Sequence, residues 1–153
     1  MSSRAPLWSV GPGRLPRLVG DRRADACVVG LGASGLHAVR RLVEAGRRVV
    51  GIDAAGLAAG AAGRSGGFLL AGPAAFHHHL VAAAGRERAS RLYGLTVEAR
   101  DRLLAEIPGA AARGSLRLPA SEAEAEDARA QLEALRADGY PAEWTKGGLL
   151  IPG

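Results

Sequence analysis

The chain has 153 residues, of which 48% are hydrophobic but only 4% aromatic, and its net charge is +5. This length is sufficient for one domain with a core of small side chains, and no apolar run approaches the ~18 residues of a membrane span. The basic excess lies in residues 1–24, which hold five arginines against one aspartate. We therefore expect a solvated, disordered leader there and no nucleic-acid partner. Since a secretory apolar segment is also lacking, we expect a cytoplasmic protein.

After the leader, the pattern predicts a strand, a helix and a second strand. Ala26–Val29 is a short apolar run typical of a buried parallel strand, so Cys27 is expected to be an inert core residue. A helix is predicted over 35–45, ending at Gly46, because apolar residues recur at helical spacing. These residues are Leu36, Val39, Leu42 and Val43. A second apolar strand follows over 49–52.

A G-x-G-x-x-G motif formed by Gly30, Gly32 and Gly35 connects the first strand to the helix. In such motifs the first glycine makes the turn, the second lets a pyrophosphate approach the backbone, and the third allows close packing of helix and strand. The pyrophosphate would bind backbone N–H groups near Ala33 and Ser34, where the helix dipole favours negative charge. The motif therefore predicts a dinucleotide site.

An acidic residue, Asp53, ends the second strand 18 positions after Gly35. In dinucleotide-binding units a carboxylate about 20 residues after the glycines hydrogen-bonds the adenosine ribose. Ala54 follows, and no arginine stands there for the 2′-phosphate of NADP. We predict that Asp53 and Ala54 contact the ribose of a cofactor other than NADP.

A second glycine-rich stretch covers residues 56–72. One interpretation is a flexible linker. However, Arg64 interrupts it, and it continues into apolar Phe68 and Leu69, which is unlike a solvated spacer. Because glycine is costly in backbone entropy, the stretch is better explained by close approach of the backbone to another backbone or to a flat ligand.

The sequence Gly-Ala-Ala-Gly-Arg-Ser-Gly-Gly at 60–67, together with the preceding unit, resembles the FAD-dependent oxidoreductases of the D-amino-acid oxidase/glycine oxidase superfamily. In that family a segment of the type G-A-S-G-R-N-G-G follows the ribose-binding acid and runs along the flavin side of FAD. The chain has Ala62 and Ser65 where the family has serine and asparagine, which weakens side-chain contacts but keeps backbone ones. The resemblance implies FAD as cofactor and an amine or amino acid as substrate. It places these residues beside the cofactor: Ala61, Ala62, Arg64, Ser65, Gly66 and Gly67.

Residues 77–79 are three consecutive histidines. Neighbouring residues on a helix point in different directions, and no cysteine or acid lies at metal-binding spacing along the sequence. We expect an ordinary helix start and no metal site, with a histidine near the flavin as an alternative.

Two further helices are predicted. The first covers 92–107 and is stopped by Pro108-Gly109; its apolar stripe is expected to face the core. This stripe consists of Leu92, Leu95, Ala99, Leu103 and Ile107. The second opens with a capping box formed by Ser121 and Glu124 and continues to Asp138. The carboxylates of its first turns are explained by the helix dipole rather than by catalysis.

Short strands are predicted at 115–118, 140–145 and 149–151. The predicted fold is thus α/β: a Rossmann-like FAD-binding part over 25–112 and the start of a substrate-domain sheet over 113–153. We expect the N-terminal portion of an FAD-dependent oxidoreductase of the amine or amino-acid oxidase type. A non-catalytic dinucleotide-binding module and an inactive truncated gene product are the alternatives. No catalytic residue, electron acceptor or oligomeric state is predicted.

Overall fold

A computed structural model describes residues 15–153 of the chain. Most of the predicted leader, residues 1–14, lies outside the described part, and residues 15–24 form neither helix nor strand. The chain divides into two compact units between Phe68 and Leu69. The boundary predicted at 112/113, between a cofactor-binding part and a substrate-domain part, remains a prediction.

The first unit contains a βαβ arrangement. Strand β1 (Ala26–Val29) leads into helix α1 (Ala33–Glu44), which is followed by strand β2 (Val49–Ile52). The two strands are parallel and pair along their whole length. All three predicted elements are confirmed, with α1 beginning two residues early because Gly32 takes the N-cap position. After β2, a short 3₁₀ turn covers Ala62–Arg64.

Helix α1 ends in the geometry that its glycine predicts. Gly46 has a φ of 73°, which glycine adopts without the steric cost of a Cβ. Its N–H donates to the Val43 carbonyl and the Arg47 N–H donates to that of Leu42, both at 2.9 Å. This pair of bonds is a Schellman motif, and it ends the helix shortly before β2 begins.

The prediction that Cys27 is buried is wrong, because its side chain is exposed. Burial alternates along β1: Ala26 and Val28 are half-buried, whereas Cys27 and Val29 are exposed, Val29 at 79%. Alternate residues of a strand point to opposite faces, and Val28 faces α1 at Gly35. The run of apolar residues predicted that both faces of the strand would be buried. In the described part of the chain, α1 packs on the face of Val28, and Cys27 on the other face is exposed.

The second unit packs three helices with an antiparallel sheet of three strands in the order β3-β5-β4. Its elements are α2 (His77–Ala84), α3 (Arg86–Glu106), β3 (Ser115–Arg117), α4 (Glu122–Ala137), β4 (Glu143–Thr145) and β5 (Gly148–Ile151). Strands β4 and β5 are joined by Lys146 and Gly147, whose φ values of 50° and 76° are those of a type I′ hairpin turn. The core consists of Tyr93, Ala128, Leu135, Ala142 and Leu149.

The prediction of the buried face of α3 is wrong. Leu92 and Leu95, from the predicted stripe, are 40% and 55% exposed. The buried residues are instead Ala89 and Tyr93. Apolar residues occupy more than one face of this helix, and the face that carries the Tyr93 ring packs with α4 and the sheet. The helix also begins earlier than predicted, at Arg86.

The capping box of α4 is confirmed. The Ser121 Oγ accepts a hydrogen bond from the Glu124 N–H at 3.2 Å. The Glu124 carboxylate reaches one residue further back than in the usual motif and accepts from the Ala120 N–H at 2.8 Å. At the other end Gly139, with a φ of 81°, follows the C-cap residue Asp138.

Candidate functional site

The glycine turn between β1 and α1 is held by its own backbone. Gly30 has a φ of 90°, and its N–H donates to the Ile52 carbonyl at 2.8 Å. A Cβ on Gly35 would lie 1.8 Å from the Gly30 carbonyl oxygen, which no side chain could tolerate. Gly30 and Gly35 are therefore required for the chain to fold back on itself, whatever it binds.

Gly32 is different, because the fold itself leaves room for a side chain there. Its φ of −78° suits any residue. Among the described residues, a Cβ on Gly32 would contact only the Ala62 Cβ, at 3.9 Å. Gly32 is also the N-cap of α1, whose first turn begins with Ala33 and Ser34 and contains no acidic residue. The start of α1 thus presents backbone N–H groups beside open space, an arrangement that suits an anion.

Leu31 anchors this turn, a role that the glycine motif alone does not indicate. Its side chain is only 4% exposed and packs over Gly51 of β2, where a Cβ would come within 2.9 Å of its Cδ2. Its N–H donates to the Asp53 carboxylate at 2.7 Å, and its carbonyl accepts from the Ala58 N–H at 2.9 Å. A leucine in the motif opposite a glycine in the second strand is the signal that predicts this packing.

Asp53 organises the loop at the end of β2. Besides the Leu31 N–H, its carboxylate accepts hydrogen bonds from the N–H groups of Ala55 at 2.9 Å and Gly56 at 3.1 Å. These bonds, that of Ala55 first, lower the pKa of Asp53, since they stabilise the ionised form. A carboxylate offers about four acceptor positions, so one remains for a hydroxyl group. Ala54 is exposed beside it.

The glycine-rich stretch returns to the glycine turn. Ala62 is the neighbour of Gly32, and Ala58 is bonded to Leu31 as described. Gly63 lies so close to Ala58 that a Cβ would be 2.3 Å from its carbonyl oxygen. These contacts oppose the flexible-linker interpretation for this part of the stretch.

The remaining predicted residues of the stretch are not packed in the same way. Ala61, Arg64, Ser65, Gly66 and Gly67 are all exposed. The Ser65 Oγ accepts a long hydrogen bond of 3.4 Å from the Gly67 N–H, and Gly67 has a φ of 76°. The structure thus brings Ala62 to the glycine turn and leaves the Arg64–Gly67 segment at the surface.

The family of the chain follows from a comparison with protein-family models. The model of the FAD dependent oxidoreductases, DAO, matches residues 25–150. The chain belongs to this family. The matched residues cover the glycine turn, the acidic end of β2 and nearly all of the second unit, so the resemblance stated from the sequence is confirmed.

Two curated proteins are similar to part of the chain. Both are named "Probable oxidoreductase OrdL", one from Haemophilus influenzae and one from Rhizobium meliloti. The first is 33% identical over 88 residues and the second 35% identical over 85 residues, which is 58% and 56% of this chain. Each match covers 20% of the relative, so the chain spans a small part of these proteins. No solved structure matches significantly.

The three histidines begin α2, as expected of a helix start, but each has a distant partner. His77 is fully buried, and its Nε2 lies 2.6 Å from the Asp138 carboxylate. The Nε2 atoms of His78 and His79 lie 2.9 Å and 3.0 Å from one oxygen of Asp127. Helix α4 supplies this acid, which no spacing along the sequence could indicate.

None of the described helices is both long enough and apolar enough to cross a membrane.

Proposed function

We propose that this chain supplies the FAD-binding part of an oxidoreductase and that its βαβ unit is Rossmann-like. The open space beside Gly32, at the start of α1, carries this proposal. A pyrophosphate there would accept hydrogen bonds from the N–H groups near Ala33 and Ser34 without displacing any side chain. Among the described residues, the packing around Gly32 leaves room for a side chain.

The acidic end of β2 supports the same proposal. Asp53 is fixed by three backbone N–H donors, so its remaining acceptor position is held in a constant direction. A ribose hydroxyl of FAD would donate to it, and the three backbone donors that fix the carboxylate also lower its pKa. The chain's part is therefore to bind and orient the cofactor.

The exposed Arg64–Gly67 segment would approach the flavin end of FAD. This proposal is supported by the resemblance of residues 60–67 to the flavin-side segment of the family. The exposure of Arg64–Gly67 is compatible with contact to a ligand. Bound there, the cofactor would supply the chemistry of accepting a hydride from the substrate. By the same resemblance, we propose a small amine or amino acid as the donor.

A cofactor-retention experiment tests the proposal. The purified chain is incubated with FAD or with NAD and then desalted. Retained absorbance near ~450 nm, a property of the flavin, is the expected result. Retention of NAD alone would favour the non-catalytic dinucleotide-binding module, and retention of neither would contradict a cofactor site within this chain.

The substrate class requires a second measurement. Under anaerobic conditions, amines and amino acids are added to the FAD-loaded chain. Loss of the absorbance near ~450 nm would indicate flavin reduction. Reduction by 2-hydroxy acids but not by amines would contradict the proposed substrate class and leave the FAD site intact.

A further inference from the structure

A cluster of possible metal ligands lies in the second unit, away from the glycine turn in sequence. His78 and His79 of α2 and Asp127 of α4 each offer one ligand atom, and these three atoms lie within 4.8 Å of one another. Both imidazole Nε2 atoms approach the same Asp127 oxygen, Oδ1. The contact is tertiary, because nearly 50 residues separate the histidines from the aspartate.

The side chains are held in this arrangement by their surroundings. The Phe76 ring lies 5.8 Å from the His78 ring and 6.1 Å from the His79 ring, with the second pair stacked. The Arg117 guanidinium lies over the same Phe76 ring at 4.5 Å. Two imidazoles converge on one carboxylate and share one aromatic neighbour, which reduces the side-chain entropy that metal binding would have to remove.

We propose that His78, His79 and Asp127 form a site for a divalent transition-metal ion such as Zn²⁺. Two imidazole nitrogens and a carboxylate oxygen are a donor set that Zn²⁺ accepts. With metal–ligand bonds of about 2.0–2.1 Å, tetrahedral donors stand roughly 3.3 Å apart. The two observed nitrogen–oxygen separations are close to that value, so small rotations about side-chain bonds bring the three donors around one ion.

The fourth coordination position is open to solvent. Asp127 and Phe76 line a cleft of about 300 Å³ together with Glu124 and Arg117. Asp127 and His79 are also partly exposed, with 36% and 56% of their side chains accessible. Water from this cleft completes the coordination, and the ion cross-links the start of α2 to α4.

Zinc titration of the full chain, without FAD, tests the proposal. Zn²⁺ affinity is measured by competition with a chromogenic chelator, and Co²⁺ serves as a spectroscopic probe of the donor set. We expect His79→Gln and Asp127→Asn each to weaken Zn²⁺ binding at least tenfold, since even changes around a ligand cost 10–100-fold. The matched controls His37→Gln, on the exposed face of α1, and Glu126→Gln, beside Asp127, should retain wild-type affinity.

The aspartate variant separates a folded site from a simple histidine tract. If the three consecutive histidines bound Zn²⁺ as a flexible peptide, Asp127→Asn would bind as well as the wild type. That result, or no measurable binding by the wild type, would overturn the proposal. Thermal unfolding with and without Zn²⁺ provides a second readout: the ion should raise the Tm of the wild type and of Glu126→Gln, but not that of Asp127→Asn. Because FAD is absent, the outcome is independent of the proposed cofactor site.

Discussion

Gly32→Ala separates the demands of folding from those of cofactor binding. The backbone at Gly32 has a φ of −78°, so alanine fits without strain. The new Cβ would meet its nearest described neighbour, Ala62, at 3.9 Å, which is an ordinary van der Waals contact. Replacing glycine at a compatible position stabilises a protein by about 0.4–1 kcal/mol, through the unfolded chain, and alanine, a poorer N-cap than glycine, offsets this gain by an amount of the same order. The variant should therefore fold as well as the wild type.

Its FAD affinity should fall, because the added methyl group occupies the space that the pyrophosphate requires. The loss of one charge-assisted hydrogen bond costs about 1.5–3 kcal/mol, which corresponds to roughly a 10-fold to 150-fold weaker Kd. Flavin-fluorescence titration measures the affinity and thermal unfolding measures the fold. The control Ala38→Leu, at an exposed position further along α1, should leave the Kd unchanged.

Two results would refute this reasoning. If the wild type binds FAD and Gly32→Ala binds it equally well, the pyrophosphate does not approach the backbone at Gly32. If instead Gly32→Ala destabilises the chain by clearly more than the ~1 kcal/mol that a poorer N-cap costs, the space beside Gly32 is needed by the fold and says nothing about a ligand.

Three further substitutions have distinct expected outcomes. Gly35→Ala would place a Cβ 1.8 Å from a backbone carbonyl oxygen. We therefore expect its free energy of unfolding, measured with urea, to fall by about 1–3 kcal/mol or more. Asp53 has a lowered pKa, so its stabilising contribution is present above the usual aspartate pKa of about 3.9 and is lost as the pH falls through the lower folded value. Asp53→Asn should thus flatten the loss of Tm below about pH 4, and an unchanged slope would count against its three hydrogen bonds. Asp138→Ala leaves the buried His77 imidazole without its partner, and chemical denaturation should show a loss of about 1–3 kcal/mol that the exposed Glu133→Ala does not.

Local interactions explain why much of the secondary structure was predictable. The ends of α1 and α4 follow from residues within one helical turn: Gly46 accepts a left-handed backbone, and Ser121 caps the N–H of Glu124. The order of strand, turn, helix and strand likewise follows from short apolar runs and the glycines between them. The cofactor roles of Asp53 and of the 60–67 segment remain predictions, since they concern a ligand and not the chain's own contacts.

Tertiary packing decided the features that sequence periodicity left open. The same apolar pattern is compatible with one or two covered faces, and only the position of α1 shows that Cys27 points away from it. In α3 several faces are apolar, and the packing of Tyr93 determines which is buried. The approach of Asp127 to His78 and His79 depends on how α2 and α4 cross. Periodicity reports neighbours within one turn, whereas these contacts join residues far apart in the chain, so only the folded structure determines them.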